Sequence, residues 1–332
     1  MSEKEKYAWE DAADDLAWDG IVAKSPQGTL FSESVFLKAL ERPVARYLVR
    51  LGQVVKAAVC VFPGPGLGSC ELDDLAIHAG IMFIEDKKPV RLRCEQFAIT
   101  EFVLSRLDGL YPHRIEMALS PQFADLRPFL WFNYGSEKPG ATFSVDLRYT
   151  AYIDISSLRD QEADSEASAC FQNMLQRHRY EIRVGLKNGA RVEAGAAPDR
   201  MLDFYEKLMA RQGAEVDRST LERMESVVRA LTAVGRGRIY TVHDTEGVDL
   251  YSVFYGWDDK RGYYLYGAGN PDKSASWQGS VVHWGAFQDL ARSQGLAEID
   301  VEGINSPARG WFKLGFGAEL KPYFHALKGG SR

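Results

Sequence analysis

Gly310-Trp311-Phe312-Lys313-Leu314-Gly315-Phe316-Gly317, with Pro322-Tyr323-Phe324 close behind, is the stretch on which the fold turns. A fainter copy lies upstream, where Phe129-Leu130-Trp131-Phe132-Asn133-Tyr134-Gly135 leads into Ala141-Thr142-Phe143-Ser144-Val145-Asp146-Leu147. In both places an amphipathic helical pattern and a short strand pattern come first. A proline (Pro128 or Pro307), an aromatic cluster, a glycine and a final strand follow. A fixed order of elements that occurs twice marks a duplicated unit. Aligned on Tyr134-Gly135 and Phe316-Gly317, the two copies differ in one chemically loaded place: Lys313 stands where the first copy has Trp131. The second copy is therefore where chemistry is sought.

Composition bounds the answer. A chain of 332 residues allows two domains of ordinary size. At 45% hydrophobic and 26% charged residues it is an ordinary globular sequence. No apolar run reaches the roughly 18 residues of a spanning helix, and Met1-Ser2-Glu3-Lys4-Glu5-Lys6 is too polar for a secretory leader. Cys60, Cys70, Cys94 and Cys170 form no Cys-x-x-Cys pair and have no histidine at ligand spacing. They read as reduced thiols of a cytoplasmic protein that holds no structural metal. The net charge of -6 is uneven: residues 1–160 carry 18 Lys/Arg against 23 Asp/Glu, and residues 161–332 carry 22 against 23. An acidic first half argues against a general nucleic-acid binder, whose footprint is a basic face.

The periodicities give matching halves. In the first, Trp9 and Trp18 anchor an acidic lead-in, and a helix is expected over 31–40. A hairpin follows, with Gly52-Gln53 at its turn, then a strand within 75–84, a helix over 91–110 and a strand over 115–119. In the second, helices are expected over 171–188, 198–212 and 219–234, the first ending at Gly189. Strands over 238–243, 248–255 and 263–267, a helix over 279–294 and a strand over 298–301 complete it. The fold class is α+β with mostly antiparallel sheets. The domains are placed at 1–158 and 171–332, joined by a polar linker over 159–170.

Three segments of the second half carry a resemblance. They are Arg177-His178-Arg179-Tyr180-Glu181-Ile182-Arg183-Val184-Gly185-Leu186-Lys187-Asn188-Gly189, then Tyr264-Leu265-Tyr266-Gly267-Ala268-Gly269-Asn270, then Trp311-Phe312-Lys313-Leu314-Gly315-Phe316-Gly317. In this order they resemble the GNAT-type acyltransferase domain of Fem-like aminoacyltransferases and their relatives. The resemblance implies two tandem GNAT-like domains, amide-forming acyl transfer, and a lysine at the place of Lys313 that stabilises the oxyanion. One element departs from the common pattern. The Gly-rich pyrophosphate loop of acetyl-CoA enzymes is not intact in Asn270-Pro271-Asp272-Lys273-Ser274-Ala275-Ser276-Trp277-Gln278-Gly279-Ser280.

Individual residues extend this reading. Lys313, between Phe312 and Leu314, places an ammonium near low-dielectric walls, where it stabilises a developing oxyanion. Arg179, Arg183 and Lys187 recur every four residues and share a helix face suited to phosphate. Asn270, Ser274, Ser276 and Trp277 precede the next helix, whose N-terminus attracts anions, with Trp277 offering a stacking surface. Tyr264 and Tyr266 are read as sharing one strand face, able to donate to an acyl carbonyl or a leaving group. Asp300 and Glu302 alternate with Ile299 and Val301, so one carboxylate is placed to take the proton of an attacking amine. Asn305 follows on the loop before the aromatic cluster. Lys313, Tyr266 and Glu302 are the candidate catalytic residues, and the others named are candidates for binding. No Gly-x-Ser-x-Gly elbow, Walker loop or paired histidines are present. The expected activity is transfer of an acyl group to an amine of a small molecule, sugar or peptide precursor. Acyl-CoA (acetyl-CoA) is the favoured donor, with aminoacyl-tRNA the alternative, and a non-catalytic binding module on the same fold stands as a third reading.

Overall fold

The computed structural model describes residues 6–85, 89–160, 164–211 and 217–329. The chain divides into two units: residues 1–148 with 322–332, and residues 149–321. The segment 164–170, expected as linker, belongs to the second unit, and the final residues of the chain belong to the first. Residues 161–163 of that expected linker, Gln212 of the expected helix and Met1–Glu5 lie outside the described residues.

The first unit contains β1 (Ala8–Asp11), α1 (Asp15–Lys24), α2 (Ser34–Ala39), β2 (Ala45–Leu51), β3 (Val54–Pro63), β4 (Ser69–Glu71) and β5 (Gly80–Phe83). It continues through α3 (Pro89–Leu110), β6 (Arg114–Ala118) and α4 (Arg127–Trp131) into β7 (Phe143–Asp154), which ends in the second unit. The expected hairpin is β2–β3, turned at Gly52 with φ +59°. The strand expected over 75–84 is realised at its end, as β5 against β3, with Ala76 in an isolated bridge to Asp73. Alternation along β3 and the helical stripe of α3 meet in one core: Val59, Ile115 and Met117 from strands, Phe102, Val103 and Leu107 from the helix.

The second unit contains α5 (Ala169–Gln172), α6 (Gln176–Lys187), β8 (Arg191–Ala194), α7 (Pro198–Arg211), α8 (Arg218–Ala233), β9 (Gly237–His243) and β10 (Asp249–Trp257). Then come β11 (Gly262–Gly269), α9 (Gln278–Ser293), β12 (Glu298–Asp300), α10 (Pro307–Leu314) and β13 (Glu319–Lys328), whose residues from Pro322 on belong to the first unit. Its sheet runs β7-β12-β11-β10-β9-β8, antiparallel except for the parallel pair β11–β12. The core gathers Val281, Phe287 and Leu290 of α9 with Tyr255, Ile299 and Phe316.

The helix expected over 171–188 is two helices. The break has a cause: the Leu175 amide donates to the Gly315 carbonyl at 2.8 Å, and a side chain on Gly317 would meet the Asn173 carbonyl oxygen at 2.8 Å. The chain leaves its helical path at Leu175 to accommodate the end of α10. Both aromatic clusters prove to be short helices with a proline in the first turn, α4 and α10. Gly135 and Gly317, in equivalent places after them, are both left-handed at φ +78° and +81°.

Gly185 tests the packing of α6 on α9, because a Cβ there would lie 2.5 Å from Val281 and 2.9 Å from Trp277. Gly185→Ala should therefore lose about 1–3 kcal/mol by overpacking. Gly20→Ala, in the open interior of α1 with nothing within 4 Å, should gain roughly 0.5–1 kcal/mol from helix propensity. Denaturant midpoints of the two variants read the contrast, and equal effects would contradict the packing.

Candidate active site

The site begins where two strands part. β12 pairs with β11 at Gly262–Ile299 and Tyr263–Asp300, after which the chain turns away while β11 runs on to Gly269 against β10. The turn is tight because Glu302 and Gly303 are consecutively left-handed, at φ +47° and +45°. That conformation costs a side-chain-bearing residue on the order of 1 kcal/mol or more and survives only where the surroundings impose it. Here the Asp300 carboxylate imposes it: Oδ1 accepts from the Glu302 amide at 2.9 Å and from the Thr150 hydroxyl. Farther along, the Asn305 side chain brackets the backbone of Tyr149, accepting from its amide and donating to its carbonyl, both at 2.9 Å.

The turn delivers two carbonyls to one ammonium. Lys313 Nζ donates to Val301 O at 2.6 Å and to Glu302 O at 3.0 Å. It also sits 4.6 Å from the centroid of the Tyr264 ring, a cation–π distance. Gly303 makes room, since a Cβ there would lie 3.3 Å from Nζ. α10 holds the lysine in its last turn, where the helix dipole favours a cation. Its end is fixed against α6: the His178 ring fills the space a Gly315 side chain would need, and His178 Nε2 meets Phe312 O at 3.0 Å.

The electrostatics follow from burial. Loss of water brings the Lys313 ammonium down to about 8, opposed by the charges of Glu302 and Asp300 and assisted by Arg309. Burial, then the charge of Asp300, holds Glu302 well above the usual carboxylate range, against the pull of Lys313. Burial raises Asp300 to about 6, against the Thr150 and Glu302 hydrogen bonds and the charges of Arg261 and Lys313. Asp300 is fully buried and Glu302 only 5% exposed, yet Asp300 Oδ2 and Glu302 Oε1 have no hydrogen-bond partner among the described residues. Unpaired buried carboxyl oxygens beside a half-buried lysine form an arrangement that can take and return a proton. The wall is aromatic: Tyr264, Phe312 and Phe316 surround His283, whose Nδ1 pairs with the Tyr255 hydroxyl at 2.6 Å. Burial drops His283 to about 3, so its ring is neutral.

The structure brings Lys313, Glu302 and Tyr264 together, with Asn305 bracing their loop. Tyr266 is not with them, and its expected shared face with Tyr264 is corrected. A bulge shifts the β10–β11 register, so Phe254 pairs with Tyr266 but Tyr255 pairs with Tyr264. The extra residue, Leu265, breaks the alternation and sends the two tyrosines to opposite faces. Tyr266 stacks on Phe254, whose ring lies where a Gly237 side chain would also meet Leu231 of α8.

Four of the residues expected to bind anions or a ring, Arg179, Arg183, Asn270 and Trp277, are engaged otherwise. Arg179 donates to Gln172, Arg183 pairs with Glu166 at 2.7 Å and lies over the Phe171 ring, and Lys187 is exposed in the same row. The face of α6 that meets α9 and α10 carries His178 and Glu181 instead, Glu181 accepting from Ser280 at 2.6 Å. Trp277 is only 9% exposed and packs on Gly185, so it offers no open stacking surface. Asn270 shapes its own loop, donating to Asp249 O and accepting from the Asp272 amide, while Ser274 and Ser276 are exposed. Sequence reasoning missed Thr150, Arg309 and His283. No local spacing marks Thr150, which reaches the site from β7, or His283, which has no second histidine at paired spacing.

Residues 172–309 match the family model of the GNAT acetyltransferase domain. That segment is an acyltransferase domain of the GNAT type. The fold of the chain is that of tandem GNAT proteins and is Fem-like. The structure of FemX superposes with a TM-score of 0.67 over 96% of each chain at 15% identity. A tandem GNAT protein from the clavulanic acid biosynthesis pathway, solved without AcCoA, gives 0.53 over 98% of this chain and 99% of its own at 12% identity. L-PGS from Bacillus licheniformis gives 0.54, covering 97% and 94%, at 10% identity. At such identities the likeness is one of fold. Among curated proteins none matches the chain by sequence.

The raised value of Glu302 makes a stability prediction. A carboxyl raised on folding contributes stability that is complete below its unfolded value of 4.5 and is lost as pH climbs through the folded one. Glu302→Gln, which cannot ionise, should therefore gain stability relative to the native chain as pH rises from about 4 to about 8. Urea denaturation across that range measures it, and a difference that stays flat would count against a buried, ionisable Glu302.

Proposed function

We propose that this GNAT acyltransferase forms an amide by moving an acyl group from an activated ester to an amine, at the fork held by Lys313. The observation that carries the reading is an ammonium fixed by Val301 O, Glu302 O and the Tyr264 ring, beside the unpaired carboxyl oxygen of Glu302. The amine lone pair forms the new C–N bond and the carbonyl π pair moves to oxygen, where the Lys313 charge stabilises it. Glu302 takes the amine proton and returns it to the leaving oxygen as the C–O bond breaks. Asn305, Thr150 and the left-handed turn keep these groups in register, so positioning supplies much of the acceleration. Tyr266 takes no part in this scheme, because the bulge at Leu265 turns it to the other face of β11, where it stacks on Phe254.

For the donor, three features that would serve CoA are occupied. Arg179 and Arg183 of the α6 row have their own partners, Trp277 is in the core, and the Phe312 ring covers Gly279 at the start of α9, 3.0 Å from where a Cβ would stand. Cβ vectors tilt toward a helix N-terminus, so that ring lies over the place where a pyrophosphate would seat. An aminoacyl ester of the kind aminoacyl-tRNA presents is the donor this geometry favours. The acetyltransferase description of the matching family model favours acetyl-CoA as the second reading.

Lys313→Ala should lower kcat by about 10²–10³-fold with little change in KM. The native rate should fall as pH rises through about 8, where the ammonium discharges. Assays with aminoacyl-tRNA and with acetyl-CoA, each over a salt series, separate the donors, since tRNA affinity falls steeply with salt. Turnover by acetyl-CoA alone, indifferent to salt, would reverse the choice of donor, and full activity in the alanine variant would remove Lys313 from the chemistry.

A further inference from the structure

Asp300 is the one buried acid of this site that stands off from the reacting atoms, and its side chain is tied to the turn that presents two carbonyls to Lys313. Its Oδ1 is held by the Thr150 hydroxyl of β7 and by the Glu302 amide. That amide belongs to the residue whose left-handed backbone turns both carbonyls onto Nζ. The second oxygen, Oδ2, is fully enclosed and has no partner among the described residues. A carboxylate needed only to close a turn gains nothing from that bare oxygen, because a neutral amide closes an Asx turn equally well. Burial of an unpaired ionised oxygen is costly, so its charge calls for a role of its own.

We propose that Asp300 is a positioning residue that fixes both the place and the protonation of the Lys313–Glu302 pair, its negative charge keeping Lys313 an ammonium and Glu302 basic enough to accept the amine proton. This rests on the amide-forming reading of the site given above. The groups facing the pair are few. Asp300 and Glu302 come from β12 and its loop, Arg309 from α10 itself, Tyr264 from β11, His283 from α9, and Arg261 acts on Asp300 from the start of β11. Arg309 lowers the lysine and His283 is neutral, so the two carboxyl groups are the charges that, with the two carbonyls and the Tyr264 ring, hold the ammonium against its loss of water. Glu302 is the base that exchanges a proton during turnover. Asp300, sealed from solvent, is the charge that remains constant through the cycle.

Asp300→Asn is the discriminating change, since an amide oxygen still accepts from Thr150 and from the Glu302 amide while the charge is gone. With lysine labelled at Cε and Nζ, and Lys313 assigned by the peak missing from Lys313→Met, the Lys313 titration is followed by NMR without substrate. In Asp300→Asn its midpoint should move down by about one pH unit. Both limbs of the kcat/KM profile should shift toward acid, because Lys313 and Glu302 each lose the same neighbouring charge. A midpoint that stays in place in a folded Asp300→Asn protein would reduce Asp300 to a turn former and overturn the proposal. Should Asp300→Asn fail to fold, Thr150→Val asks the same question: it removes a donor to Asp300, so the inflection near pH 6 in the Lys313 signal should move up. An inflection that is absent or unmoved would equally overturn it. The titration needs no turnover, so absence of acyl transfer in the native enzyme defeats the amide-forming reading and leaves this test standing.

Discussion

A lysine ammonium withdrawn from water between two strands is the constraint on which the second unit is built. An amine so placed must find acceptors, and side-chain carboxylates alone would bind it as a closed ion pair, leaving little charge for a substrate. The chain supplies backbone carbonyls instead. Val301 O and Glu302 O take two of the three N–H donors at 2.6 and 3.0 Å, and the Tyr264 ring adds its negative face. To aim both carbonyls inward the backbone adopts two consecutive left-handed residues, and Asp300, Thr150, Asn305 and Gly303 all serve that turn. The strain is local, and the hydrogen bonds that offset it come from three separate strands and loops.

The duplication clarifies why only one half carries this device. α4 and α10 begin alike, with a proline in the first turn, and each leads through a left-handed glycine to a strand. In the first unit the equivalent place is Trp131, half exposed and packed edge-on against Phe97. The helix is thus a structural module in both halves, and its use in chemistry follows from one substitution together with the acids of β12 and its loop.

What the sequence made legible was periodicity and order. The hairpin, the long helix α3, the β9–β10–β11 meander and α9 sit close to where the alternation and helical stripes put them, and Lys313 and Glu302 stood out because their neighbours are apolar. What it hid was anything that depends on a third element. The break before α6 exists because Leu175 donates to Gly315, far along the chain. Thr150 reaches Asp300 from β7. The cations of α6 form a helical row as their spacing says, but spacing cannot tell which face meets the site, and Glu166 and Gln172 decided it. Tyr264 and Tyr266 stand two apart, as the rule for a shared face requires, but the bulge at Leu265 leaves them on opposite faces.

That inserted residue has a consequence for how the strand evolves. An uninterrupted β11 would commit every tyrosine at even spacing to one environment, so that any change improving one would burden the other. With Leu265 looped out, Tyr264 answers to the lysine while Tyr266 answers to Phe254 and the helix layer beneath, and selection can tune the two independently. Flattening the bulge with Leu265 kept in register would return both hydroxyls to one side and crowd the ammonium with a second ring, which makes the bulge itself, more than the identity of the residue in it, the quantity under restraint.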